Sequence, residues 1–243
     1  MKYKVTVSYN GAKYCGWQTQ HRNDSVQEAI EAVLTSMHRE YVEIVASGIT
    51  DAKVHALGQV FHYERNLNMS PKALKTALNS QLPKDIRIQD VEIVEDEFHA
   101  RFHATSKRYD YYLTSEMENP FVDDFMAKYY GNLNLEEMRK ASKVFLGEHD
   151  FTTFTSAKID PRKSRVKTIT RFDIVEEGNI IHFILEGNSF LRYMVRMMVG
   201  TIIEVGKGKI TSEDVKIMLD GKDKHLCRYK AVAQGLYLVK VNY

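Results

Sequence analysis

The sequence contains little cysteine. In 243 residues there are two, Cys15 and Cys227. Neither stands at a metal-ligand spacing, and the pair suggests no disulfide framework. Long apolar runs are also missing: nothing approaches the roughly 18 residues needed to cross a bilayer, so no membrane partner is expected. The opening segment, MKYKVTVSYN, alternates like a strand and lacks the apolar stretch of a secretory signal. A cytoplasmic protein is the expectation. An excess of charge is absent as well. The balance of 34 Lys and Arg against 32 Asp and Glu leaves a net charge of +2, so the total says nothing about nucleic acid.

What is present is ordinary in bulk. Hydrophobic residues make up 44% and charged residues 27%, which excludes long disorder. The length suits one large or two small packed cores. Charge is unevenly distributed, and that is more informative. Lys158, Arg162, Lys163, Arg165, Lys167 and Arg171 follow one another with Asp160 alone opposing them. Lys222, Lys224, Arg228 and Lys230 flank His225. Such stretches either form a positive face able to hold a phosphate backbone or are solvated surface loops.

Periodicity lays out the elements. Residues 2–9 read as a strand, followed by the loop NGAKYCGWQTQHRND. Ser25 and Glu28 have capping-box spacing, in which each satisfies the other's orphan backbone donor. Val26, Ala29, Ile30, Val33, Leu34 and Met37 then make one helical stripe. Strands are expected at 42–48, 56–65, 85–94, 106–114, 164–176, 179–187 and 236–241. Helices are expected after Ser70-Pro71, over 134–145, over 189–205, and after the Thr211 cap. Several connections are too short for parallel crossovers, so the class is α+β with a largely antiparallel sheet. A boundary is expected near residue 105.

Asp51 ends a strand in the turn Gly48-Ile49-Thr50-Asp51, a setting from which a carboxylate can face a ligand. An Asp in a turn is more often simply a turn residue. The loop at 10–20 brings Tyr14, Trp17, Gln18 and Gln20 together with Gly11 and Gly16. Aromatics and amides suit stacking and base-edge contacts, although Trp17 equally suits an anchor that packs the loop on the core. Arg192 and Arg196 interrupt an apolar helix at i, i+4 and need a carboxylate or a phosphate. His55 and His62, then His99 and His103, invite a metal site; the last two are also four apart, but they lie in what reads as extended chain, so no metal site is expected.

The strings YNGAKYCGWQTQ, SVQEAIEAVL, SGITDAKVHALGQVFHY, NSQLPKDIRI, FHARFHATSKRYDYYL, LGEHDFTTF, NSFLRYMVRMMVGTIIEVG and QGLYLVKVNY resemble, in order and spacing, those of the TruA-type tRNA pseudouridine synthases. The resemblance covers nearly the whole chain. It implies the pseudouridine synthase fold: two related α/β domains with largely antiparallel sheets. Residues 1–105 would carry the catalytic Asp loop, and 106–243 would complete the cleft. It also implies a homodimer that isomerises uridine to pseudouridine without a cofactor, in the anticodon stem-loop of tRNA (positions 38–40 in tRNA convention).

By the same resemblance, the Asp of the family's Gly-Arg-Thr-Asp motif falls on Asp51, whose carboxylate starts the reaction. The glycosidic C–N bond breaks, the uracil turns in the site, and C5 bonds to the ribose. The Tyr of Arg-Tyr-x-Tyr falls on Tyr109, which stacks on the base and can accept the C5 proton. Read from alternation alone, Tyr109 could equally be a core residue. The Arg of Met-Val-Arg falls on Arg196, the ion partner that keeps the Asp ionised. Trp17, Gln18, Ile49, Lys107, Arg108, Arg162, Lys163, Arg165 and Arg192 are the candidate RNA-binding residues. The sequence departs from the family at Ile49, where the motif has Arg. An isoleucine can wedge into a base stack but cannot pair with Asp51, so weak base capture and slow or absent turnover are predicted. Lys53 stands where many members have Gly. The departure at Ile49 favours a rival reading, a non-catalytic tRNA-binding protein on the same scaffold.

Overall fold

The computed structural model describes residues 1–18, 24–66, 68–117, 119–156 and 164–243. The chain forms two compact units, Met1–Thr105 with Tyr237–Tyr243, and Ser106–Leu236. Both combine largely antiparallel strands with helices, the α+β class expected from the short connections.

In the first unit, β1 (Lys2–Tyr9) lies between β3 (His55–Glu64) and β4 (Ile86–Val94), antiparallel to both. Its burial alternates strictly, so that Tyr3, Val5, Val7 and Tyr9 face the core. Tyr3 stacks on Tyr63 at 5.0 Å between centroids. Helix α1 (Val26–His38) begins with the complete capping box at Ser25 and Glu28, and α2 (Pro71–Gln81) begins with the Ser70 cap and Pro at its first position. Both caps stand where the sequence predicts them.

The expected strand at 42–48 is reduced to β2, Val45–Ala46. The neighbouring backbone donors are satisfied elsewhere: Val42 N–H donates to Thr35 Oγ1 and Ile44 N–H to Glu31 Oε1, both side chains of α1. The last strand, β10 (Leu236–Asn242), pairs in parallel with β3 through Tyr237 and His55. Its residues from Tyr237 on therefore belong to the first unit, where the sequence reading put all of 106–243 in the second.

In the second unit the strands run in the order β5 (Ser106–Thr114), β9 (Ile180–Gly187), β8 (Val166–Glu177) and β7 (Gly147–Asp150), with β6 (Ala127–Lys128) beside β5. β8 and β9, the strands expected at 164–176 and 179–187, form a hairpin that turns at Gly178 with φ +62°. α3 (Leu135–Ser142) ends earlier than expected and continues as a tighter helical turn to Phe145. Phe145 packs against Phe151, Phe154 and Phe172 to make an aromatic core. α4 (Met194–Gly206) is buried on nearly every side, and α5 (Ser212–Gly221) follows the Thr211 cap.

Candidate functional site

Asp51 stands in the turn before β3, half-buried, in an isolated antiparallel bridge with Gly16. The loop that follows β1 is tied to this turn by backbone bonds. Trp17 N–H donates to the Thr50 carbonyl at 3.1 Å, and Lys53 N–H donates to the Tyr14 carbonyl at 3.3 Å. Glycines make the approach possible. Gly16 has φ +115°, and a Cβ there would lie 2.7 Å from the Thr50 carbonyl oxygen. A Cβ on Gly11 would collide with the Val54 carbonyl.

Beneath the turn lies a buried polar network. Tyr9 Oη and Thr50 Oγ1 share a hydrogen bond of 2.8 Å. Gln59, fully buried, accepts from Ser47 Oγ at 2.7 Å and donates from Nε2 to the Gly48 carbonyl at 2.9 Å. Burial pushes the Tyr9 hydroxyl well above its ordinary pKa, against the opposing effect of its bonds to Thr50 and Gln59, so Tyr9 stays neutral. His55, also buried, accepts the Gly11 N–H at Nδ1 (3.0 Å) and stacks on Tyr237 at 4.6 Å. The turn is thus fixed from below by Tyr9, Ser47, Gln59 and His55. Of these only His55 was singled out from the sequence, and then as a histidine weighed for a metal site. A glutamine at an inward position of the apolar strand HALGQVFHY was the available sign, because a buried amide must be bonded.

Trp17 is 1% exposed, with its ring against Tyr9 (5.8 Å) and Phe61 (6.1 Å). Its expected RNA contact gives way to the anchoring role: this ring fixes the loop on the core. Gln18 is exposed beside it, and Ile49 is 50% exposed. Lys53 has φ 65°, a left-handed backbone that favours glycine.

In the second unit, Tyr109 of β5 is buried and meets Phe190 edge-on at 5.1 Å. Lys107 is buried too and does not offer the exposed charge expected of it. Arg108 turns back to Asp110 with two bonds of 2.7 Å, and His182 Nε2 reaches the same carboxylate at 2.8 Å. Burial raises the Asp110 pKa, but the bonds from His182 and Arg108 outweigh it and hold the group below the usual carboxylate range.

The expected helix over 189–205 starts at Met194, because Tyr193 takes a left-handed conformation at φ 66°. Arg192 therefore precedes the helix and does not share a helical face with Arg196. Its carbonyl accepts from Ser156 N–H and Thr155 Oγ1, each at 3.1 Å. Arg196 donates from Nε to the Ala231 carbonyl at 2.8 Å. Arg165 is half-buried, while Arg162 and Lys163 lie outside the described residues.

The histidines also differ from expectation. Residues 96–103 form turns rather than extended chain, and the His103 N–H bonds to the His99 carbonyl at 3.0 Å. His62 lies 4.9 Å from His99, ring to ring. Each ring accepts a backbone N–H at Nδ1: His62 from Ala100, His99 from Arg101 and Phe102, and His103 from His99. Among the described residues no three His, Cys, Asp or Glu side chains are placed to hold a metal ion, and no helix is long and apolar enough to cross a membrane.

An α+β chain with a carboxylate held in a glycine-tied turn before a strand matches the family model of the tRNA pseudouridine synthases over residues 5–103 and 141–243, and the chain belongs to that family. Among curated relatives it is similar to tRNA pseudouridine synthase A of an Exiguobacterium strain, 43% identical over 240 residues, covering 99% of this chain and 97% of that one. The protein of the same name from a Geobacillus strain is 43% identical over 242 residues, covering 99% and 97%. That of Staphylococcus carnosus is 39% identical over 242 residues, covering 99% and 90%.

Proposed function

We propose that this protein is a tRNA pseudouridine synthase, an isomerase that converts uridine to pseudouridine in the anticodon stem-loop of tRNA (positions 38–40 in tRNA convention). The observation that carries the reading is the end-to-end match to relatives of that name, with Asp51 in the turn where the family motif has its Asp. No cofactor is assigned to the reaction. The enzyme works as a cytoplasmic homodimer.

Asp51 is the carboxylate that starts glycosidic cleavage in this reading. A base must leave its stack for this chemistry, and the nucleophile must remain ionised in a pocket that excludes water. Arg196 supplies the compensating charge. Tyr109 is the aromatic wall along which the detached uracil turns, and its hydroxyl can take a proton. Gln18, Arg108, Arg162, Lys163, Arg165 and Arg192 are the polar and cationic residues assigned to RNA. Ile49 fills the place of the flipped nucleotide as an apolar wedge without a charge for Asp51. The non-catalytic alternative finds no support among the relatives, which carry the synthase name.

The test is to incubate the purified protein with unmodified tRNA and map pseudouridine. Product in the anticodon arm is expected, formed slowly by the wild type and faster by Ile49→Arg. Salt-sensitive tRNA binding with no product from either form would return the reading to a binding protein.

A further inference from the structure

Within the second unit, positive charge gathers about one tyrosine ring. The Lys230 ammonium lies 4.3 Å from the centroid of Tyr193, the Arg192 guanidinium 4.9 Å and the Arg196 guanidinium 5.5 Å. Arg192 also donates to the Tyr193 hydroxyl at 3.2 Å. Each cation is attracted to the ring, but three like charges gathered about one ring repel one another. Lys230 and Arg192 are exposed and could swing into water.

The backbones that carry these charges are held by uncharged contacts. Gly200 of α4 lets the segment at 230–231 lie directly on the helix, since a Cβ there would stand 2.8 Å from the Ala231 nitrogen and 2.9 Å from that of Lys230. The Ala231 N–H then donates to the Arg196 carbonyl at 2.9 Å. The Arg192 carbonyl is fixed by Thr155 and Ser156. Tyr193 itself holds a left-handed backbone that costs a side-chain-bearing residue energy, and it caps α4 without a side-chain bond to the first-turn amides. A strained tyrosine that collects cations from two separate segments gains little for stability. It is well made for an anion.

We infer that Arg192, Tyr193 and Lys230 form a clamp for one backbone phosphate of the RNA substrate. The tyrosine acts as the post that aims both cations. This rests on the tRNA reading above and adds the place where one phosphate is held. The guanidinium offers paired donors to the phosphate oxygens, while the ammonium acts as a point charge on the same group.

The test measures how steeply binding of unmodified tRNA falls with salt. Each phosphate contact contributes about one unit to the log–log slope. Lys230→Met and Arg192→Met keep most of the aliphatic bulk; each is expected to remove part of that unit, and the double variant about one unit in all. Lys230→Arg is expected to keep the wild-type slope. Wild-type slopes in both Met variants would overturn the clamp, as would a loss in Lys230→Arg equal to that in Lys230→Met, which would mean packing rather than charge. The readout does not depend on turnover. A clamp that fails while pseudouridine is still formed leaves the enzyme reading intact, and a changed slope without product leaves the clamp intact.

Discussion

Lys53 is a lysine held where the backbone favours glycine. Its φ of 65° costs an L-residue roughly 1–2 kcal/mol, and a glycine there would lose about 0.5–1 kcal/mol through greater freedom in the unfolded chain. The first effect is larger. Lys53→Gly is therefore expected to raise stability by about 0.5–1 kcal/mol, read as a higher urea midpoint with an unchanged slope. Lys53→Val should lower the midpoint, because a β-branched side chain tolerates this region least. Two residues away, the prediction concerns chemistry. Asp51 is half-buried, its backbone is tied to Gly16, and the network of Tyr9, Thr50 and Gln59 lies beneath it. The turn is fixed by these groups, so Asp51→Ala should abolish pseudouridine formation while tRNA binding and the melting temperature change little. A collapse of the melting temperature would make Asp51 a structural residue instead.

Among the elements, β5 carries the clearest energetic prediction. Asp110 is 2% exposed and takes bonds from Arg108 and His182, so its removal leaves two donors facing each other. Asp110→Asn is expected to cost roughly 2 kcal/mol or more in denaturant unfolding, in line with buried charge-assisted bonds. Because the folded pKa is depressed, this stabilisation is present above the unfolded carboxylate value and is lost as pH falls through the folded one. Most elements could be read in advance, because a local pattern fixes them: the Ser25–Glu28 box, the Ser70-Pro71 start and the hairpin at Gly178 are examples. Elements set by distant partners were not legible. Nothing near Val42 announces that its N–H will go to Thr35, and nothing near Tyr193 announces a left-handed residue that starts the helix five residues late. The site divides in the same way. Asp51, the loop glycines and Arg196 could be picked out from local setting, and Tyr109 only from the family resemblance. The burial of Trp17 and Lys107 was not legible, because burial depends on the fold and side-chain type says little about it.

For the molecule as a whole, the histidines govern the response to acid. His62 is held down to about 4, first by burial and then by the nearby His99 and Lys2 charges, and His99 is lowered as well. Both rings serve as neutral acceptors for the turn at 99–103, so a proton on either removes a bond that holds it. The unfolded chain, with a histidine near 6.5, takes up these protons before the folded chain does. Stability from this source is therefore fully present above about pH 6.5 and is lost as pH falls toward 4. His62→Asn tests this directly. The Asn Oδ1 can accept the Ala100 N–H in place of Nδ1, but it does not titrate. The variant should be less stable at neutral pH, having lost the ring's edge contact with Phe98, yet its stability should fall less steeply between pH 6.5 and 4. A slope equal to the wild type's would mean that the acid sensitivity lies elsewhere. A flatter slope would tie it to a ring the fold uses as a backbone acceptor.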